Sequence, residues 1–326
     1  MSRLSSLFAA PAPTVGIEIA SSRVTVVRLV PGSSPATVGS ATVEPLPGDA
    51  IVPALNEPNI LERSAVVDAV RRAIERTSSR RKRAVLVVPD TTARVSLLRF
   101  EKVPPRHSDL LELIRWQVRK TVPFRAEDAQ LTFAPAGSAA DGGHDFVVVL
   151  ARKDVVAEYE SVCHDAGVQV GVVDLATFNL INTVAAAGAA PDGDWLLVNA
   201  AGDYLSVAIL RGTDLLFFRH RGSEGEGSLA DVVHQTAMYY EDRLQGRGFT
   251  RAVLAGPGQF GADTRPTTDR VDADHVKQQL EQRLRVRVDA VDPRPAVVLA
   301  NRIAVNSTLL DTLAPAVGLL LRERVV

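Results

Sequence analysis

The chain begins the same pattern twice, and that repetition limits its fold more than any other feature. Residues 195–220 contain three short runs rich in branched and aromatic side chains, parted by turns at 200–203 and 211–214. Runs of this kind between turn residues make a three-stranded antiparallel meander. Residues 15–20, 24–30 and 37–44 repeat it near the start, with Ser21, Ser22 and Arg23 as the first turn. Each meander continues in the same order of helix, strand, helix, strand, helix. In the first half Val66, Val67, Val70 and Ile74 fall at helical spacing, and strand 84–88 stops at Pro89. A helix (154–166), a strand (168–173) and a helix (175–187) follow. In the second half Val232, Val233, Ala237 and Tyr240 give helix 228–245 an inward stripe. Strand 251–255 then ends in Gly256-Pro257-Gly258, and helix 274–284, strand 286–291 and helical material beyond residue 295 complete the repeat.

The expected architecture is therefore a duplicated α/β fold. A flexible start (1–13) precedes a first half (14–190) and a second half (191–326). One stretch, 90–151, lacks a counterpart. It reads as strand 94–101, helix 107–121 and a hairpin of strands 130–135 and 145–150, a small insertion subdomain of the first half. The glycine-rich loop 222–227 is all that parts the second meander from its helix. Its Glu224 and Glu226 read as solvated turn charges.

Composition removes several function classes. At 326 residues the chain has room for two cores. A net charge of -1 gives no overall field for nucleic acid. The basic run Arg80, Arg81, Lys82, Arg83 closes the first long helix, where cations complement the dipole. One cysteine, Cys163, excludes an internal disulfide and reads as a packed residue. The six histidines show no metal-ligand spacing, and no P-loop or nucleophile elbow occurs. No apolar run approaches the roughly 20 residues of a membrane span. The first dozen residues read as a frayed end, with a brief interfacial anchor as the alternative.

A duplicated half of this order resembles the actin and sugar-kinase ATPase fold, and the first-half insertion is similar to that of relatives of the division protein FtsA. Particular wording resembles the PilM family, the cytoplasmic actin-like proteins of type IV pilus assembly. Val15-Gly16-Ile17-Glu18-Ile19-Ala20-Ser21-Ser22 is similar to the family's opening Gly-Val-Asp-Ile-Ser-Ser-Ser. The helix through Trp116 that ends in Thr121-Val122-Pro123-Phe124 is similar to its insertion helix, and Val172-Val173-Asp174-Leu175 and Gly318-Leu319-Leu320-Leu321-Arg322 also fit.

The resemblance implies a cleft for ATP and Mg²⁺ between the two hairpin turns, lined by Glu18, Ser21, Ser22, Asn199, Gly202, Gly256 and Gly258. Close phosphate contact needs small residues and free backbone N–H groups, and carboxylates hold hydrated Mg²⁺. Here Glu18 replaces the family's Asp. The second turn, Asn199-Ala200-Ala201-Gly202-Asp203, replaces Asp-Ile-Gly-Ala-Thr. A carboxylate has become an amide, a glycine has gained a methyl group, and Asp203 stands where a hydroxyl would meet phosphate. Two unit charges about 4 Å apart repel by roughly 1–4 kcal/mol. The expectation is a pseudo-ATPase with no catalytic residues.

By the same resemblance the partner is the short cytoplasmic tail of a PilN-like single-span membrane protein. That would tie the chain to the inner-membrane assembly platform from the cytoplasmic side, and self-association stays open. The expected tail groove lies between the first-half core and the insertion, lined by Val95, Leu97, Leu98, Leu110, Leu113, Ile114 and Trp116; core packing is the alternative for most of these and leads for Leu97 and Ile114. Arg115, Arg119 and Lys120 make this helix basic where the family's is often acidic. Two alternatives stand beside the scaffold: an ATP-dependent switch of the pilus machinery, and the cytoplasmic part of a type II secretion L-type protein. The latter normally continues into a transmembrane helix, which this sequence lacks.

Overall fold

The computed structural model describes residues 12–77, 83–138, 142–188, 193–222, 228–256, 273–301, 303 and 306–325. Gly258, Glu224, Glu226, Arg80, Arg81, Lys82 and the first eleven residues lie outside them.

In the first half, β1 (Val15–Ile19), β2 (Arg23–Leu29) and β3 (Thr37–Pro45) form the first meander. After α1 (Arg63–Arg76), β4 (Arg83–Val88) lies parallel to β1. A single 3-10 turn (Asp90–Thr92) opens the insertion, made of β5 (Ala93–Phe100), α2 (His107–Val118), β6 (Ala129–Ser138) and β7 (His144–Arg152). Then come α3 (Lys153–Asp165), β8 (Gln169–Leu175) and α4 (Ala176–Ala186). The second half comprises β9 (Asp194–Ala200), β10 (Tyr204–Arg211), β11 (Asp214–Gly222), α5 (Leu229–Leu244), β12 (Arg251–Ala255), α6 (Ala273–Leu284) and β13 (Val288–Ala290). A two-residue strand β14 (Val298–Leu299) and α7 (Ser307–Val325) follow.

The repeat is visible in strand order. One sheet runs β3-β2-β1-β4-β8 and the other β11-β10-β9-β12-β13, the same path taken twice. The first sheet gains a sixth strand: β14, far along the chain, pairs parallel with β3. Where only helical material was expected after residue 295, the chain thus returns to the opposite half before its last helix. Two paired residues carry no period-2 signal, so that strand was invisible in the sequence.

Each sheet has an outer helical layer. The apolar stripes of α1 and α3, including Val66, Val70, Val155 and Tyr159, cover the first sheet. Val232, Val233, Tyr240, Val276 and Leu280 of α5 and α6 cover the second. Helix α5 starts where the sequence says it should. The Ser228 hydroxyl accepts from the Asp231 N–H at 3.2 Å, and the Asp231 carboxylate accepts from the Ser228 N–H at 3.0 Å, a reciprocal cap.

The inner helices change places. Helix α4 sends Leu180, Ile181 and Val184 into the second sheet, beside Trp195, Leu197 and Val253. Helix α7 sends Leu313, Ala316, Val317 and Leu320 into the first, beside Val27, Val85 and Val87. The two helices cross closely enough to exclude a side chain at Gly318, where an added Cβ would stand 1.9 Å from the Asn179 carbonyl oxygen. The Thr183 hydroxyl ties the crossing, donating to the Ala314 carbonyl at 2.7 Å.

The insertion is a three-stranded sheet, order β5-β7-β6, with α2 on one face. Alternation along its strands decides which residues meet. Leu98, Phe133, Phe146, Val148 and Leu150 face α2, where Leu110, Ile114 and Val118 close a separate small core. In register, Val95 and Leu97 pair with Val149 and Val147, which pair in turn with Thr132 and Ala134; these face the other way.

Candidate functional site

Both hairpin turns end at one cleft. Its lining includes Glu18, Ser21, Ser22 and Arg23 from the first turn and Asn199, Gly202, Asp203 and Tyr204 from the second. Gly256 after β12 and Asp311 on α7 complete it. The structure therefore brings together six of the seven residues expected there, and Gly258 lies outside the described residues. The cleft is partly open to solvent, and its inner cavity is about 30 Å³.

Several groups that could serve a phosphate are engaged with the protein. The Gly256 N–H donates to the Asp311 carboxylate at 2.7 Å. Gly256 has φ +69°, and an added Cβ would stand 2.4 Å from the Ala200 carbonyl oxygen. Glycine is needed there for the approach of two backbones, whatever the cleft binds. The Arg23 guanidinium lies 3.4 Å from Glu18, which is buried. Asn199 turns inward, its Nδ2 donating to Thr177 Oγ1 at 3.0 Å and to the Tyr204 hydroxyl at 3.3 Å.

Behind the second turn is a carboxylate that sequence reasoning missed. Asp90, fully buried, accepts from Ser206 Oγ at 2.5 Å, from the Thr177 N–H at 3.0 Å and from the Thr177 hydroxyl. Its partners come from α4 and β10, so one side chain stitches the end of β4 to the other half. Burial holds its pKa above the usual carboxylate range, against the pull of those hydrogen bonds. Asp311 was also missed. Burial chiefly, with the Glu18 charge, pushes it up to about 7 against the Gly256 N–H and Arg23. A signal for each existed: an acidic residue directly after a buried strand's proline, and an Asp inside the apolar run of α7. Among the described residues, no group of three or more His, Cys, Asp or Glu side chains is disposed to hold a metal ion. Cys163 is fully buried, and burial raises its thiol to about 12.

The residues expected to line a peptide groove are spread over several surfaces, with only Leu97 and Leu98 among them lining one cavity, beside Leu215 and Leu216. Val95 packs into the first-half core and Leu97 faces the second half. Leu98, Leu113, Leu110 and Ile114 belong to the small core under α2. Trp116 projects from the outside of that helix, 64% exposed. The expectation grouped neighbours in sequence that alternation sends to opposite faces of one sheet. A groove does exist on the face away from α2. Thr132, Ala134, Val147 and Val149 of the insertion face Phe178 and Ile181 of α4 and Leu215 of β11 across a cavity of about 290 Å³. Asp174 and Arg322, an ion pair, also line it.

The family described as type IV pilus assembly protein PilM matches residues 16–245. A solved structure described as a PilM-PilN type IV pilus biogenesis complex is 18% identical, with a TM-score of 0.78, covering 96% of this chain and 99% of that one. A Bacteroides thetaiotaomicron protein of actin-like ATPase fold is 9% identical, with a TM-score of 0.49 over 91% of this chain and 95% of its own. The cytoplasmic domain of EpsL, an inner-membrane component of the Vibrio cholerae type II secretion system, is 13% identical, with a TM-score of 0.46 over 82% of this chain and 93% of its own. The fold is that of the actin-like ATPases. No helix of the described residues is long and apolar enough to cross a membrane.

Proposed function

The chain belongs to the type IV pilus assembly protein PilM family, and on that premise we propose that it is a non-catalytic cytoplasmic scaffold which holds the tail of a PilN-like inner-membrane protein. The cleft carries this reading. Three carboxylates, Glu18, Asp203 and Asp311, line it beside one guanidinium, Arg23, that already meets Glu18. At close range an ionised carboxylate repels triphosphate by roughly 1–4 kcal/mol; Asp203 does so at neutral pH, Asp311 only once pH passes about 7, and the Gly256 N–H is spent on Asp311. Residues of this kind do not fit a Mg²⁺-triphosphate, and no phosphoryl-transfer step is derived from them.

The tail's seat in this reading is the groove of Thr132, Ala134, Val147, Val149, Phe178 and Ile181. Strand β6 is the outer strand of its sheet, so an extended segment there has main-chain partners on one side and apolar pockets beneath it. Two measurements test the proposal. Calorimetric titration with ATP and Mg²⁺ is expected to give no saturable binding below millimolar; a saturable isotherm would refute the scaffold reading. Capture of the N-terminal tail of the PilN-like protein of the same system should be lost in Ala134→Trp, an exposed position on the groove wall. Undiminished capture by that folded variant would exclude the groove.

A further inference from the structure

The outer face of α2 is left unexplained by the cleft and the groove. The helix is anchored by Leu110, Ile114 and Val118. Trp116 stands roughly 200° around the axis from Ile114, so its indole points away from the protein. Around it the last turns and the following loop carry Arg115, Arg119, Lys120 and Arg125, all exposed. Arg125 lies 3.6 Å from Glu127. Arg115, Arg119 and Lys120 make no ion pair within 4 Å among the described residues. Asp109 and Glu112 share Trp116's side of the helix but lie toward its N-terminus; at the C-terminal end Glu127 offsets Arg125 and part of Arg115, which leaves Arg119 and Lys120 as the excess positive charge. The helix dipole accounts for cations at this end. It does not account for a tryptophan held in water among them.

We propose that this end of α2 is a docking surface for an anionic lipid bilayer. An indole with an apolar body and a polar N–H is suited to the headgroup level of a membrane, where tryptophan concentrates. Unpaired Arg and Lys side chains supply the attraction to anionic headgroups, each contributing about fivefold in partitioning when close to the surface. The charge complementarity is with a polyanionic plane and not with an acidic protein. A protein hot spot seats its tryptophan in a pocket within a desolvated patch, whereas Trp116 stands 64% exposed with Glu112, Leu113, Arg119 and Lys120 three and four residues away. The surface acts through lipid alone and does not depend on a protein tail.

The chain supplies its own probe. Of its two tryptophans, Trp195 is fully buried and bonded through its indole N–H to the Gly212 carbonyl at 2.8 Å, so quenchable emission comes from Trp116. The full chain is mixed with vesicles of phosphatidylcholine, with or without 30 mol% phosphatidylglycerol, at low and at physiological salt. On the anionic vesicles alone, Trp116 emission should shift to the blue and lose its quenching by acrylamide. Co-sedimentation should rise with anionic content and fall as salt screens the surface. The triple variant Arg115→Gln, Arg119→Gln, Lys120→Gln should lower partitioning by about 100-fold at unchanged thermal stability. Three results would overturn the proposal: no sedimentation with anionic vesicles at low salt, full sedimentation of the triple variant, or Trp116 protection by soluble polyglutamate as strong as by vesicles. None of these bears on capture of the PilN-like tail, so either proposal can fail alone.

Discussion

In the first half, the turn after β1 carries a charged pair, Glu18 with Arg23, at the cleft wall. In the second half, the turn after β9 is flanked by Asn199 and Tyr204, and the Asn199 amide donates to the Tyr204 hydroxyl and to Thr177. Glu18 and Asn199 are both the next-to-last residue of the central strand of their sheets, so the repeat has placed two chemistries at one structural position. The first turn keeps a carboxylate, already met by a guanidinium. The second has become part of a network joining the halves, with Asp90, Thr177 and Ser206 at its centre. Duplication thus constrains backbone path far more tightly than it constrains what the matching turns do.

That contrast can be broken most severely at the helix crossing. Gly318→Ala should destabilise the fold by about 3 kcal/mol, because its Cβ meets a backbone oxygen that belongs to the other half. Denaturant titration followed by circular dichroism measures it. Next comes the stitch itself. Asp90→Ala removes the acceptor for Ser206 and Thr177 and should cost about 2 kcal/mol, whereas a bland loop position would move the midpoint little.

Asp311 sharpens the comparison through pH. The unfolded chain releases this proton near the ordinary value of 3.8, and the folded chain keeps it until about 7. Across that window the folded state binds more protons, so this group makes stability fall as pH rises. Asp311→Asn, which still offers the Gly256 N–H an acceptor, should flatten that fall, by about 2 kcal/mol between pH 5.5 and 7.5. An unaltered slope would show that Asp311 does not set the dependence. The smallest effect belongs to the first turn: Ser21→Ala should change stability by less than about 0.5 kcal/mol, as expected of a turn outside the network.

Much of the architecture could be read from the residues. The meanders, the insertion and the two-part plan follow from local runs, turn residues and periodicity. The exchange of α4 and α7 could not be read, because Leu180 and Leu313 look like the stripe of any amphipathic helix and nothing local says which sheet they will meet. The cleft was legible at Glu18, Asn199 and Gly256, where turn chemistry marks the chain. It was illegible at Asp90 and Asp311, whose partners are brought by tertiary contacts 87 and 55 residues away in sequence. The expected groove residues scatter for a related reason. Val95 and Leu98 lie close in sequence, yet alternation along β5 sends them to different cores on opposite sides of a sheet.

The swapped inner helices bear on how this protein can be dissected. A fragment ending near residue 190 would lack α7 and leave Val27, Val85 and Val87 bare; one beginning there would lack α4 and leave Trp195 and Leu197 bare. Neither piece should survive as a soluble domain, and the intact polypeptide should melt in one cooperative step despite its bilobed outline. Co-expressing the two pieces, so that each lends the other its missing helix, is the way to recover a native particle from parts.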